Sequence, residues 1–95
     1  MRIQLEVLGG PLDGHIFQFN KRVQIGREGE IPLGVDRFIS RRHAIVEPVS
    51  GGVVLEDLNS TNGTFVNGER VQGRVPLQNG QTFIVGKTWL EINWS

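Results

Sequence analysis

Residues 53–68, VVLEDLNSTNGTFVNG, contain two short apolar runs separated by a polar loop and followed by an Asn-Gly pair. The runs Val53–Leu55 and Thr64–Val66 carry β-branched and aromatic residues, which suit the pleated surface of a strand. Asn67-Gly68 suits a type I′ hairpin turn, which needs a positive φ at both central residues. This stretch therefore predicts a strand, a loop, a second strand and a tight turn in close succession.

The same pattern of short strands and turns recurs on both sides of this stretch. Arg2–Leu8 alternates apolar and polar residues, which is the period-2 signature of a half-buried strand. Five further runs read as short strands: Ile16–Phe19, Val23–Ile25, Ala44–Val46, Thr82–Val85 and Trp89–Trp94. Three more turn pairs are Asp13-Gly14, Asn62-Gly63 and Asn79-Gly80. Many short strands with turn signals between them predict an all-β sandwich or barrel.

Length and composition narrow the classes of protein to which the chain can belong. The 95 residues suggest one domain, residues 1–95, and the absence of cysteine excludes disulfides and thiolate metal sites. The two histidines are too few for a zinc site without several carboxylates, so we expect no metal. We expect a reducing compartment, the cytoplasm. The N-terminus lacks a signal-peptide pattern, and no apolar run approaches the roughly 18 residues of a membrane helix.

Because the chain has no net charge, any anion binding must come from a local arrangement of residues. Ten basic residues balance ten acidic ones, so the chain as a whole has no attraction for nucleic acid or for an anionic membrane. Three segments nevertheless offer hydrogen-bond donors where a strand opens into a loop: Ile25-Gly26-Arg27, Ser40-Arg41-Arg42-His43 and Asp57–Thr64. A phosphate dianion is bound by such a set of guanidinium, hydroxyl and amide groups. The stretch from Arg27 to Arg42 lacks a strand pattern, and so long a loop in a small domain is usually functional.

Gly-Arg, then Ser-x-x-His, then Ser-Thr-Asn-Gly-Thr, then Asn-Gly, in this order and spacing, resembles the forkhead-associated (FHA) domain family. The pattern spans Gly26 to Gly68, and the flanking strands extend the resemblance over essentially the whole chain. The resemblance implies a two-sheet antiparallel β-sandwich of about ten or eleven short strands. It also implies a module that binds a phosphothreonine on another protein, without catalysis or cofactor.

The resemblance implies a role for nine residues. Four positions match residues that bind or line the pocket for the phosphothreonine: Arg27, Ser40, Arg41 and Thr61. Asn62 matches the asparagine that holds the main chain of the ligand just after the phosphothreonine. Four positions match residues that support the loops: Gly26, His43, Gly63 and Asn67. Arg42 lies between two motif positions, and we expect it to face solvent or a strand neighbour.

The implied partner is a protein that a Ser/Thr kinase has phosphorylated on threonine, in a signalling pathway. Residues a few positions after the phosphothreonine would be selected by variable loops, here Gly34–Ile39 and Asn67–Gly73, with Val35 and Phe38 as candidate apolar contacts. We expect the domain to be a monomer or part of a larger protein. The resemblance also implies a preference for phosphothreonine over phosphoserine, through a small pocket for the threonine methyl group.

Three other functions compete with this one. Ser40 and His43 would suggest a nucleophile and a base, but residues three apart near a strand start tend to face opposite ways, and no third group orients the histidine. Arg37, Arg41 and Arg42 would suggest nucleic-acid binding, but the neutral charge and the acids in the same loop argue against a polyanion. The third alternative is a scaffold with the same fold and no phosphorylated ligand.

Overall fold

The computed structural model describes all 95 residues and contains only β-strands, turns and loops. The eleven strands are β1 (Ile3–Leu8), β2 (Ile16–Phe19), β3 (Val23–Gly26), β4 (Ile31–Pro32), β5 (Ala44–Val49), β6 (Gly52–Asp57), β7 (Thr64–Val66), β8 (Glu69–Arg70), β9 (Arg74–Leu77), β10 (Thr82–Val85) and β11 (Thr88–Trp94). No helix has the length and apolarity that crossing a bilayer requires. The predicted all-β class is confirmed.

The strands form two packed sheets. One sheet has the order β2-β1-β11-β10-β7-β8, and the other has the order β4-β3-β5-β6-β9. The two-sheet sandwich predicted from the resemblance is therefore confirmed. Its description as antiparallel needs one correction, because β3 and β4 pair in parallel through Ile25 with Ile31 and Gly26 with Pro32.

The core lies between the sheets and is built from the inward positions of alternating strands. In β1, for example, Ile3, Leu5 and Val7 are at most 1% exposed, whereas the residues between them are half-buried. β11 contributes Leu90 and Ile92, both fully buried, to the same cluster. The cluster contains eighteen buried residues, so the period-2 pattern of the sequence is the pattern of the core.

Three short strands were not predicted. The two-residue strands β4 and β8 are too short to show a period, and β9 contains Pro76, which weakens a strand signal. The prediction that Arg27–Arg42 lacks a strand is wrong to the extent that β4 interrupts it.

The turns differ in part from the type I′ interpretation. Only Asn67-Gly68 has a positive φ at both residues, 53° and 78°, and it joins β7 to β8 as a two-residue turn. In the pairs Asp13-Gly14, Asn62-Gly63 and Asn79-Gly80 only the glycine has a positive φ. These three pairs therefore form turns of another type.

Candidate functional site

The pairing of the second sheet brings the three donor-bearing segments to one end of the sandwich. Ile25 at the end of β3 pairs with Ala44 at the start of β5, and Ala44 pairs with Asp57 at the end of β6. The loops that follow β3, precede β5 and follow β6 must therefore emerge side by side. The structure thus brings Arg27, Ser40 and Thr61 into one cluster of loops.

Gly26 allows the first two segments to lie directly against each other. The Arg27 N–H donates to the Ser40 carbonyl at 3.1 Å, and the Glu28 N–H donates to the Arg41 carbonyl at 3.3 Å. A side chain at Gly26 would overlap the carbonyl oxygen of Arg41. The absence of a Cβ at this position is therefore what lets the backbone of Arg27 approach Ser40.

Ser40 links the second segment to the third. Its Oγ accepts a hydrogen bond from the Thr61 N–H at 3.2 Å, which leaves the hydroxyl proton available to donate to a ligand. Two residues earlier, the Phe38 carbonyl accepts a hydrogen bond from the Asn62 side-chain amide at 3.1 Å. The Asn62 side chain is exposed, and its Nδ2 hydrogen bond holds it between the loop before β5 and the loop after β6. Its Oδ1 accepts no bond within the protein, so it is free to accept one from a peptide N–H.

His43 supports the loops from beneath and is fully buried. Its Nδ1 accepts a hydrogen bond from the Ser40 N–H at 3.1 Å, and its Nε2 lies 2.8 Å from the Gly63 carbonyl. Because Nδ1 accepts, Nε2 must carry the proton and donate it. Both ring nitrogens are thus bonded to backbone groups, and neither contacts the Ser40 hydroxyl. This geometry is incompatible with the Ser40 nucleophile and His43 base considered from the sequence.

A network around Asp57 fixes the third loop, and sequence reasoning did not assign it. The Asp57 carboxylate accepts bonds from the Ser60 hydroxyl at 2.6 Å, the Thr64 hydroxyl at 2.8 Å and the Ser60 N–H at 3.2 Å. The Arg70 guanidinium donates to the Ser60 carbonyl at 2.8 Å, and the Ser60 Oγ accepts from the Gly63 N–H. The signal was present in the sequence, because Asp, Ser and Thr at this spacing favour local side-chain to backbone bonds.

Asp36 fixes the loop before Ser40 in the same way. Its carboxylate accepts bonds from the Phe38 N–H at 2.8 Å, the Lys87 N–H at 2.8 Å and the Thr88 hydroxyl at 2.7 Å. The Lys87 Nζ lies 4.3 Å from the centre of the Phe38 ring. The β10–β11 turn therefore anchors the loop from the far side of the sandwich, through partners that are distant in sequence.

The other two acids near the site are also engaged. The backbone N–H groups of Gln24 and of Glu30 itself hold the pKa of the Glu30 carboxyl below its usual value, so that it stays charged on the β3 side of the loop. Glu28 lies 3.8 Å from Arg41, with both side chains more than 70% exposed. An exposed pair of this kind is worth only about 0–1 kcal/mol, so Arg41 is readily recruited by a stronger anion. Arg27 has no acidic partner within 4 Å.

A groove of about 440 Å³ lies beside the loops, between the β1–β2 connection, the loop before Ser40 and the β10–β11 turn. Its lining includes Leu12, Val35, Phe38 and Trp89. Val35 is 61% exposed and Trp89 is 51% exposed. Of the two predicted selectivity segments, Gly34–Ile39 thus contributes to a groove, while Asn67–Gly73 contains the β7–β8 turn and β8.

Comparison with known proteins identifies the family. The family model of the FHA domain matches residues 23–86, which is more than half of the chain and includes all three loops. The chain belongs to the FHA-domain family. The resemblance inferred from the motif is therefore confirmed, and with it the membership of a family of binding modules.

Relatives of this FHA domain agree in sequence and in fold. The FHA domain-containing protein FhaB of Mycolicibacterium smegmatis is 37% identical over 91 residues, which cover 94% of this chain and 59% of that protein. This chain thus spans less than two thirds of the length of FhaB. An FHA domain solved in a structural and functional analysis of phosphothreonine-dependent FHA domain interactions has a TM-score of 0.86 at 28% identity, covering 100% of this chain and 98% of its own. The FhaA FHA domain, solved in complex with the intracellular domain of Rv3910, has a TM-score of 0.82 at 30% identity, covering 96% of this chain and 99% of its own.

Proposed function

We propose that this FHA domain binds a phosphothreonine-containing segment of a partner protein through the loops that carry Arg27, Ser40 and Thr61. One observation carries the proposal. The Ser40 hydroxyl accepts from the Thr61 N–H at 3.2 Å and keeps its own proton free, next to an arginine without an acidic partner. The Arg27 and Ser40 backbones are hydrogen-bonded at 3.1 Å, so a hydroxyl with a free proton and an unpaired arginine stand on adjoining loops, an arrangement suited to a phosphate dianion.

Each residue has a role in this proposal. Arg27 supplies the positive charge and planar hydrogen bonding, and Ser40 donates a hydrogen bond from its hydroxyl to a phosphate oxygen. Arg41 exchanges its ion pair with Glu28 for one with the phosphate, which adds a second positive charge. Thr61 lines the pocket, and Asn62 holds the ligand main chain after the phosphothreonine. The solved FHA domain from the study of phosphothreonine-dependent interactions supports phosphothreonine binding by its likeness in fold and sequence, while the residue roles rest on the motif and on the geometry of the loops.

The magnitude of binding follows from the number of charge-assisted bonds. Phosphothreonine carries roughly −1.5 to −2 charges near neutral pH. Each charge-assisted hydrogen bond is worth roughly 1.5–3 kcal/mol. Three or four such bonds, less the cost of ordering the peptide and the loops, give a Kd in the micromolar range.

The proposal extends to the context of the domain. We infer that residues 1–95 form a single domain that acts without catalysis, cofactor or metal, as a monomer or as part of a longer protein. Its partner is a substrate of a Ser/Thr kinase, and the absence of cysteine favours the cytoplasm. The structure of FhaA with the intracellular domain of Rv3910 offers a precedent for an FHA domain in complex with a domain of another protein.

Fluorescence polarisation with degenerate peptide libraries tests the proposed function. We expect the phosphothreonine library to bind and the unphosphorylated library not to bind. A matched phosphoserine library should bind more weakly, since burying one methyl group contributes about 0.8 kcal/mol. Equal binding of the phosphorylated and unphosphorylated libraries by the folded domain would exclude phosphate recognition and favour the scaffold alternative.

Affinity should also depend on pH through the ligand. The second ionisation of a phosphorylated side chain lies near about pH 6, and the dianion is the species that the site recognises. The bound state therefore favours the deprotonated phosphate, and affinity is expected to fall as pH decreases through that value. Polarisation titrations of one phosphothreonine peptide from pH 7.5 to pH 5 measure this, and a flat profile would mean that the monoanion binds equally well.

A further inference from the structure

The outer face of the six-stranded sheet carries a row of four apolar side chains that the core does not use. Leu8 pairs with Trp89, Trp89 with Ile84, and Ile84 with Phe65, so the row crosses β1, β11, β10 and β7 in register. Their neighbours along these strands are inward positions that are buried or, at Val66 and Thr88, half-buried, which places the four outward. Trp89 is exposed, and the other three are half-buried. None of the four belongs to the core cluster or packs against it. We refer to these residues as the apolar row.

Two carboxylates lie beside the apolar row. Glu6 pairs directly with Glu91 across β1 and β11, in the outward positions next to Leu8 and Trp89. Like charges directly opposite each other in a sheet are destabilising. Neither carboxylate has a cation within 4 Å. Glu91 accepts a hydrogen bond from the Asn93 side chain, which leaves its charge uncompensated.

The other sheet differs in its charges, because its acids are paired with a cation, although it also has one exposed apolar residue, Val49. Its acids Glu47 and Glu56 both pair with Arg74, at 3.4 Å and 3.9 Å. Its apolar Ile45 is only 2% exposed. By contrast, the six-stranded sheet leaves Trp89 51% exposed and its two facing carboxylates unpaired.

The apolar row is continuous with the phosphate-binding loops. At one end, a Cβ on Gly63, the residue after Asn62, would lie 2.9 Å from the Phe65 ring. At the other end, Leu8 and Trp89 also line the groove that contains Phe38. A protein seated on the loops therefore reaches the apolar row without leaving the surface.

We propose that the apolar row and the Glu6–Glu91 pair form a second docking surface for the phosphorylated partner, which covers it with a segment that combines apolar and basic side chains. This inference rests on the proposed function, because it assigns the surface to the same partner. The unpaired carboxylates select the basic residues, and the row selects the apolar ones. A second copy of this chain fits poorly, since an isologous contact centred here would bring the Glu6–Glu91 pairs of both copies together.

Tethered peptides test the proposal. A short phosphothreonine peptide is compared with the same peptide extended, at either end, through a flexible Gly-Ser linker by an alternating Leu-Lys segment. We expect one of the two Leu-Lys extensions to tighten binding at least roughly fivefold, because the linker makes the second contact intramolecular. A Leu-Glu extension should give less than half of that gain. The short peptide alone reports on the proposed function, and the ratio of extended to short affinity reports on this inference.

Substitutions in the domain test which residues produce the gain in affinity from the Leu-Lys extension. Trp89→Ser is expected to abolish the gain, measured as the ratio of extended to short affinity in that variant, because Trp89 also lines the groove beside the loops. The double variant Glu6→Gln, Glu91→Gln should remove the preference for lysine. Val49→Ser, which alters an exposed apolar residue on the other sheet, is the matched control and should keep the gain. Absence of a gain from both Leu-Lys extensions, or an unchanged gain in Trp89→Ser, would overturn the proposal.

Two further readouts do not depend on phosphate. The Leu-Lys segment alone is expected to shift the backbone amide resonances of β10 and β11, also in the Arg27→Ala variant, and shifts confined to other strands would contradict the proposal. Sedimentation of the free domain should show a monomer. A dimer that Trp89→Ser dissociates would assign the apolar row to a second copy instead.

Discussion

Arg27→Ala is expected to weaken binding of a phosphothreonine peptide by at least roughly tenfold, which corresponds to about 1.4 kcal/mol. The guanidinium of Arg27 is exposed and has no acidic partner within 4 Å, so the protein offers its charge to the ligand. Losing it removes one or two charge-assisted hydrogen bonds to the phosphate. Isothermal titration calorimetry with one phosphopeptide measures the change.

The same features make this variant a clean test. Because Arg27 makes no side-chain bond within the protein, its replacement should change the free energy of unfolding by less than about 0.5 kcal/mol. Arg42→Ala is the matched control, since it removes an equal charge from an exposed arginine of the same loop. We expect Arg42→Ala to reduce affinity less than about threefold, as the loss of a general electrostatic contribution does. Equal losses in the two variants would mean that overall charge, and not a defined phosphate contact, drives binding.

His43→Ala is expected to lower the free energy of unfolding by roughly 2–4 kcal/mol. The change leaves the half-buried Ser40 N–H without a partner, removes one of two donors to the Gly63 carbonyl, and opens a cavity beneath the loops. Gly63 retains the hydrogen bond from the Gly86 N–H, which limits the loss. For a domain of this size the melting temperature should fall by roughly 10 °C or more.

The second histidine of the chain provides the control. His15 is exposed and makes no side-chain hydrogen bond, so His15→Ala should change the melting temperature by no more than about 2 °C. Thermal unfolding followed by circular dichroism compares the two variants. A melting temperature of His43→Ala equal to that of the wild type would show that the loops are held by other contacts.

The sequence predicted the parts of the fold that have a strong local signal. Ile3–Leu8 is a strand with the predicted inward residues, and Asn67-Gly68 is a two-residue turn between strands, because alternation and positive φ are properties of a few adjacent residues. The strand β4 escaped prediction because it exists only through a two-residue parallel pairing with β3. Its sequence, Ile31-Pro32, carries no period of its own.

The candidate site also has residues that the sequence predicts and residues that it does not predict. Arg27, Ser40 and Thr61 are recognised in the sequence because they stand in a motif of fixed order. Two further supports of the loops, Asp36 and Arg70, are not recognised in this way, since their bonds join separate parts of the chain. Asp36 contacts Thr88 across 52 residues, and Arg70 reaches the Ser60 carbonyl from the next hairpin. Tertiary packing decides which acidic residues lie near the site and which groups they bind. A sequence motif does not encode that packing.

We expect the phosphate to bind where the loops carrying Arg27, Ser40 and Thr61 meet, and an NMR titration of the ¹⁵N-labelled domain with a short phosphothreonine peptide locates this site directly. The largest amide shift changes are expected at Arg27, Ser40, Arg41, Thr61 and Asn62, and the unphosphorylated peptide should leave these resonances in place. The largest changes at the opposite end of the sandwich, or equal changes with the unphosphorylated peptide, would contradict it.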